Sequence, residues 1–272
     1  MKNLNRIFLS VLLILELAIP CFAESKNIKI NGSTTVLPIA QACAEKFMDD
    51  NPDVDISVQG GGSGVGISSL LDKTTDIADS SRAIKDTELD KAVANGVEPK
   101  AHVVAMDGIS VIINPSNSIS ALTKKQIRDI YTGVISNWSQ LGGPDEKIVV
   151  VSRDTSSGTF EAFNELALDK TKVRPDALME ASNQAVVSVV EKTTGAIGYV
   201  GLGYIQAGVK AVSVNGVMPS KETVLTSKYP ISRPLFMYTN GAPQGATKEF
   251  IEFVLSEEGQ KIADEQGYVG LK

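Results

Sequence analysis

The chain of 272 residues carries 26 Lys+Arg against 32 Asp+Glu, a formal net charge of −6, with 43% apolar and 21% charged residues. This composition belongs to a globular protein rather than a disordered chain, and the acidic balance, without a sustained Lys/Arg run, offers no footprint for a nucleic-acid backbone. Two cysteines and one histidine support neither a disulfide framework, a four-thiolate zinc site nor a mechanism that needs paired histidines. No metal or cofactor is expected.

Residues 1–23 read as a secretory leader. Lys2 and Arg6 form a positive start, an apolar stretch runs from Ile7 to Ile19, and Ala23 is a small residue suited to cleavage before Glu24. Glu16 interrupts the apolar stretch and argues against a stable membrane span. Cys21 offers a lipid anchor, but Pro20 before it fits that pattern poorly. The expected location is therefore the periplasm. Cleavage would remove Cys21 and leave Cys43, which shares an apolar helical face with Ile39 and Phe47 and reads as a buried thiol.

In chain order, Asn27–Ile30 predicts a strand, followed by Gly32-Ser33-Thr34-Thr35 and a helix to about Asp50 with Pro38 in its first turn. Val54–Val58 alternates as a strand and runs into a glycine-rich segment, 60–66, and a helix through about Leu71. Asp76–Asp79 predicts a short strand and Thr87–Ala94 a helix. Ala101–Ala105 and Ile109–Ile113 predict strands that meet at Asp107-Gly108. Thr123-Lys124-Lys125-Gln126 fits a capping box opening a helix to Tyr131. Lys147–Ser152, Ala196–Val200 and Leu235–Tyr238 predict strands; Thr159–Leu168, Asn183–Thr193, Ala246–Leu255 and Glu257–Gln266 predict helices. Strands alternating with helices of this length indicate an α/β protein with largely parallel sheets. Ligands of such sheets bind at the carboxyl ends of the strands, beside helix N-termini.

Three predicted strand-to-helix junctions share one chemistry: Gly32-Ser33-Thr34-Thr35, Gly62-Ser63-Gly64, and Arg153 with Ser156-Ser157-Gly158-Thr159. Unpaired N–H groups at a helix start attract an anion, hydroxyls add donors, glycine admits close approach, and arginine adds a planar fork. Arg82, in Asp79-Ser80-Ser81-Arg82, offers a second fork. Each loop alone reads first as ordinary helix capping; three in one chain make coincidence less favourable without naming the ligand. Enzyme signatures fail. Gly61-Gly62-Ser63-Gly64-Val65 ends in Val where a nucleophile elbow has Gly, no Walker A loop or dinucleotide fingerprint occurs, and His102 sits inside an apolar strand.

Taken together, the motifs resemble those of the periplasmic phosphate-binding proteins of ABC transporters. The resemblance spans nearly the whole mature chain and rests on Asn31-Gly32-Ser33-Thr34-Thr35-Val36, Gly61-Gly62-Ser63-Gly64-Val65-Gly66, Asp79-Ser80-Ser81-Arg82, Asp107-Gly108-Ile109 with Asn114-Pro115, Ile130-Tyr131-Thr132-Gly133 with Asn137-Trp138, Arg153-Asp154-Thr155-Ser156-Ser157-Gly158-Thr159, Gly195-Ala196-Ile197-Gly198-Tyr199, and the tail Gly259-Gln260 to Gly267-Tyr268-Val269. It implies a two-lobed type II binding protein, not an enzyme, that closes on inorganic phosphate and delivers it to a membrane permease as a monomer. Lobe I would comprise residues 24–107 and 236–272 and lobe II residues 108–235, with crossings near Asp107-Gly108 and Leu235–Thr239. The implied ligand set is Ser33, Thr34 and Ser63 from one lobe and Arg153, Ser157, Gly158 and Thr159 from the other, with Arg82 as a further donor; Thr35 fits a side-chain role less well. A carboxylate should accept the proton that phosphate keeps and sulfate lacks. The sequence departs from the family where some members carry that Asp, so Asp107 is the first replacement and Asp79 the second. The same architecture could also take sulfate, molybdate or tungstate. Trp138 is expected to serve packing.

Overall fold

The computed structural model describes residues 26–271; the expected leader, its cleavage site and Cys21 lie outside the described residues. The first half runs β1 (Lys26–Gly32), α1 (Leu37–Asp50), β2 (Val54–Gly60), α2 (Ser63–Leu71), β3 (Ile77–Ser80), α3 (Asp86–Ala94) and β4 (Pro99–Gly108). It continues with β5 (Ser110–Ile113), β6 (Ala121–Leu122), α4 (Lys124–Thr132), β7 (Val149–Arg153), α5 (Gly158–Leu166), β8 (Leu178–Glu180), α6 (Asn183–Lys192) and β9 (Ala196–Val200). The last part is β10 (Lys210–Ala211), β11 (Ser213–Val214), α7 (Lys221–Leu225), β12 (Ser232–Asn240), α8 (Gly245–Val254) and α9 (Glu257–Glu265).

The local signals act as their chemistry requires. Pro38 occupies the first turn of α1, where its missing N–H leaves no bond unmade. The Thr123 hydroxyl accepts from Gln126 N at 3.1 Å while Gln126 Oε1 accepts from Thr123 N at 2.8 Å, closing the capping box of α4. Gly133 ends that helix with φ 88°, a left-handed conformation that costs glycine nothing.

Two five-stranded sheets result, ordered β2-β1-β3-β12-β4 and β10-β5-β9-β7-β8. In the first, β1 pairs parallel with β2 and β3, whereas β12 runs antiparallel to β3 and β4. In the second, β7 pairs parallel with β8 and β9, whereas β5 runs antiparallel to β9 and β10. Each sheet is therefore parallel except for one strand, and the two reversed strands are those entered by crossing between sheets. β4 passes into β5 through Ile109 alone, and β12 returns the chain to the first sheet. The crossings are tied together: Ile109 N donates to Ile231 O at 2.8 Å and the Tyr229 hydroxyl donates to Ile109 O at 2.9 Å. The return was expected near Leu235–Thr239; those residues lie inside β12, whose pairing with β4 already starts at Ser232 opposite Gly108.

Each sheet has its own apolar core. Ile28, Ile30, Ile39, Phe47, Leu235 and Phe250 are among those that fill the first. Tyr131, Trp138, Phe163 and Tyr199 anchor the second, with the Phe163 and Tyr199 rings stacked at 3.8 Å. Two separate cores with short connections between them are the arrangement a hinge requires. Strands β6, β8, β10 and β11, two or three residues each, and the five-residue α7 went unpredicted, since segments that short show no periodicity.

Trp138 is fully buried, and its indole N–H donates to Gly195 O at 2.9 Å. It packs the second core, as expected. Trp138→Ala should lower the unfolding free energy by about 3–5 kcal/mol, through the cavity and the orphaned carbonyl. Equilibrium urea unfolding checks this; a loss under about 1 kcal/mol would refute the packing role.

Candidate functional site

The three hydroxyl-rich junctions meet along one seam between the two sheets. Gly32 turns the chain out of β1 at φ +141°, and a Cβ there would lie 2.2 Å from Asp79 O, so only glycine fits. Ser33 N donates to that same Asp79 carbonyl at 2.8 Å, and the Ser33 hydroxyl accepts from Thr35 N at 3.1 Å. Thr34 and Thr35 are thereby presented before α1, both buried.

The glycine-rich loop of the first sheet touches the arginine loop of the second directly. Gly64 N donates to Ser156 O at 2.9 Å and the Ser156 hydroxyl donates to Gly61 O at 3.1 Å. A Cβ on Gly62, at φ +99°, would lie 2.6 Å from Ser156 Oγ, and one on Gly158 would lie 2.2 Å from Ser63 Oγ. The helix starts at Ser63 and Gly158 therefore face each other with no room for a side chain between them. Ser157 caps α5 by accepting from Phe160 N at 3.2 Å, and the Ser63 hydroxyl accepts from Ser81 N at 3.0 Å.

Arg153, at the end of β7, is 1% exposed. Its Nε donates to Glu180 O at 3.0 Å, and its Nη2 donates to Ala181 O at 3.0 Å and to Thr34 Oγ1 at 3.2 Å. Its Nη1 is buried with no hydrogen-bond partner. Burial lowers the guanidinium pKa from its ordinary value, but arginine stays protonated in proteins. Thr35 and Thr159 hydroxyls meet at 2.9 Å across the seam. Arg233, on β12, donates from Nη2 to Thr159 Oγ1 at 3.0 Å and from Nη1 to Ser81 O at 2.9 Å.

Asp107 is fully buried, and both of its oxygens are engaged. Oδ2 accepts from Arg233 Nε and Nη2 at 3.0 and 2.9 Å, and Oδ1 accepts from Leu202 N at 2.8 Å. It holds Arg233 in place and ties β4 to the turn after β9. Asp79 differs. Its carboxyl is buried with neither oxygen hydrogen-bonded, and burial raises its pKa well above the usual carboxylate range. Cys43 lies near it, and burial followed by the Asp79 charge pushes that thiol up to about 12, an inert state.

Of the residues expected to bind, Ser33, Thr34, Ser63, Asp107, Arg153, Ser157, Gly158 and Thr159 come together at the seam. Arg82 does not supply a free fork, and that expectation is corrected. Its Nη1 and Nη2 grip Glu88 at 2.8 and 2.7 Å, its Nε pairs with Glu161 of α5 at 2.7 Å, and Nη1 also donates to Ala83 O at 2.9 Å. Lys85 joins Glu161 at 2.6 Å. Arg82 thus braces the two sheets against each other beside the seam. Glu88 feels burial, which would raise its pKa, but the Arg82 hydrogen bond and charge lower it overall.

Sequence reasoning missed Arg233, Asn183 and Ser81 as members of this network. Arg233 is a charge inside the apolar strand segment 231–237, a signal that was present. Asn183 opens α6 behind its cap Ser182, a fourth strand-to-helix junction, but the preceding β8 is too short to be seen. His102 stands apart from the seam, with Nε2 2.9 Å from Thr239 Oγ1, and burial lowers its pKa. Among the described residues no cluster of His, Cys, Asp or Glu could hold a metal ion, and no helix is long and apolar enough to cross a membrane.

The PBP superfamily domain matches residues 23–258. The phosphate-binding protein PstS of Bacillus subtilis is 38% identical over 250 residues, 90% of this chain and 81% of the relative. The chain belongs to the PstS phosphate-binding protein family. The PstS of Borreliella burgdorferi is 35% identical over 92% of this chain and 91% of that protein. A crystal structure from Clostridium perfringens, a substrate-binding protein of phosphate ABC transport with bound phosphate, is 36% identical, covers 91% of this chain and 100% of that one, and superposes with a TM-score of 0.85. These PstS relatives are named for binding, not for catalysis, and their two-lobed type II fold is the fold of this chain.

The Asp79 carboxyl keeps its proton in the folded protein above about pH 4, where an unfolded Asp releases it. Folded-state stability therefore falls as pH rises from there toward the raised folded pKa. Asp79→Asn should raise the denaturation midpoint at pH 7 and leave it nearly unchanged below about pH 4. Parallel pH-dependent unfolding of both proteins tests this; equal gains at every pH would refute it.

Proposed function

We propose that the protein captures inorganic phosphate between its two lobes and delivers it to the membrane permease of an ABC transporter. The observation that carries this reading is Arg153 Nη1, a buried guanidinium donor without a partner, set among hydroxyls and two helix starts from both sheets. Burying such a donor unpaired is costly, and an oxyanion resolves the cost by accepting from it. The names of the PstS relatives and the bound phosphate of the C. perfringens neighbour support phosphate over sulfate, molybdate or tungstate.

The ligand set is Ser33, Thr34 and Ser63 from lobe I and Arg153, Ser157, Gly158 and Thr159 from lobe II. Asp107, expected as the acceptor of the phosphate proton, has both oxygens taken by Arg233 and Leu202 N, and so enters through Arg233, whose charge it balances. Lobe I comprises residues 24–107 and 236–272, and lobe II residues 108–235. Because the anion touches both lobes, it stabilises the closed arrangement. No catalysis, cofactor or metal is involved, nucleic acid is not a partner, and the protein acts as a monomer. The leader of residues 1–23 directs it to the periplasm and is cleaved after Ala23; lipid anchoring at Cys21 is the less favoured alternative.

Phosphate at 100 times its dissociation constant should add about 2.7 kcal/mol to the stability of the ligand-free mature chain. At this size that is a rise of roughly 5–10 °C in Tm. Sulfate should give little. Arg153→Ala should remove the phosphate shift and weaken calorimetric affinity at least about 30-fold. A wild-type protein that is folded but shifts with neither anion would refute the reading, and a larger shift with molybdate or tungstate would redirect it.

A further inference from the structure

Three threonine hydroxyls, of Thr34, Thr35 and Thr159, meet two arginines at the seam, and a hydroxyl can serve as donor or acceptor. The neighbours of each one decide which. Asn183 settles the first step. Its Oδ1 accepts from Gly201 N at 3.2 Å, and because a backbone N–H only donates, the amide orientation is fixed. The Nδ2 hydrogens then point at Thr34 Oγ1, 3.2 Å away, and at Thr35 Oγ1, 3.0 Å away.

Thr34 Oγ1 receives Asn183 Nδ2 and also Arg153 Nη2 at 3.2 Å. Neither nitrogen can accept, so both oxygen lone pairs of Thr34 are taken and its O–H is left to donate elsewhere. Thr35 Oγ1 receives Asn183 Nδ2 and, more weakly at 3.4 Å, a share of the Arg233 Nη2 hydrogen that Asp107 does not take. Its proton therefore goes to Thr159 Oγ1, 2.9 Å away. Thr159 Oγ1 also receives Arg233 Nη2 at 3.0 Å, which fills its lone pairs in turn. Its own O–H is likewise left to donate. Asp107 and the Ser81 carbonyl hold the Arg233 fork in the position this requires.

We propose that Asn183 and Arg233 are positioning residues that convert the Thr34 and Thr159 hydroxyls into obligate donors, one from each side of the seam. This rests on the phosphate reading above and deepens it. At these two positions the anion meets donors only, so the oxygens recognised there are unprotonated ones. Neither Asn183 nor Arg233 needs to touch the ligand for this. The network also spans both sheets, with Asn183 and Thr159 on one side and Thr34, Thr35 and Arg233 on the other, so the donors are set only when the sheets are together.

The test is a double-mutant cycle read by calorimetry with inorganic phosphate on the mature chain. Asn183→Ala should weaken binding about tenfold or more, and so should Thr34→Val, which keeps the shape and loses the hydroxyl. Thr34→Ser should stay within about threefold of wild type, because the hydroxyl is retained. The double variant should bind no more than about threefold more weakly than the weaker single, since Asn183 acts through the hydroxyl that Thr34→Val removes. Should Asn183→Ala prove unfolded by circular dichroism, Arg233→Lys with Thr159→Val runs the same cycle with the same expectations. Wild-type-like binding by the folded Asn183→Ala, or losses that multiply in the double variant, would overturn the inference alone. A wild-type chain that binds no phosphate would overturn the functional reading and the inference with it.

Discussion

The structure depends on a buried guanidinium. Arg153 leaves β7 with its charge enclosed between two sheets, and a charge enclosed in protein costs several kcal/mol unless donors and acceptors compensate it. Two backbone carbonyls and the Thr34 hydroxyl take three of its hydrogens. The remaining nitrogen has no protein partner. Much else at the seam follows from that single deficit. The opposing helix starts at Ser63 and Gly158 face the same place, and the glycines at 62 and 158 let the two loops pack with no room for a side chain between them. Arg233 adds a second buried charge, but the Asp107 carboxylate balances it in full. The net charge that the enclosed group presents is that of Arg153.

The topology explains how such a group can be both enclosed and accessible. Parallel strands place their carboxyl ends, and the helix starts that follow them, on one edge of each sheet. The single reversed strand in each sheet, β5 and β12, is the strand reached by crossing, and the two crossings are hydrogen-bonded to each other at Ile109 and Ile231. The sheets are thus joined by a narrow two-strand connection while each keeps its own core. Contacts that hold them closed are of two kinds. The seam contacts are buried and short. The Arg82, Glu88, Glu161 and Lys85 group is partly exposed at Lys85 and nearly buried at Arg82, and it needs no ligand. Exposed pairs contribute little, while an enclosed bidentate pair holds its geometry.

Most of the fold and much of the site could be read from the residues. Strand β9 matches its expected bounds, and most longer elements agree to within one to three residues, because alternation and capping are local properties. The three loops were found for the same reason: glycine and hydroxyl residues before a helix are visible in a line of sequence. Arg82 and Arg233 show where this stops. Arg82 has the better motif context, following three small polar residues at a strand end, yet two glutamates distant from that motif claim it. Arg233 sits in a strand with no motif at all, and only its charge among apolar neighbours marked it. Which arginine is free is decided by carboxylates brought up by α3, α5 and β4, and tertiary partners of that kind leave no local trace. Asn183 was hidden in another way, behind a three-residue edge strand whose two exposed apolar residues, Leu178 and Met179, look like loop.

The acidic chain and the anion-accepting seam are compatible because they act over different distances. A net charge of −6 is spread over the surface and screened within about 8–10 Å at physiological salt. The donors at the seam act at hydrogen-bond distance, in a medium where water does not screen them. Global repulsion can slow the approach of an anion, but it cannot cancel contacts at about 3 Å. Two buried carboxylates beside the seam are handled differently. Asp107 is paired with Arg233, and burial raises the Asp79 pKa well above the usual carboxylate range, which disfavours its charge. The Asp107 charge is thus matched and the Asp79 charge disfavoured, while Asp154, next to Arg153 in the chain and held by Ser156 N and Oγ, supports the positive charge that remains.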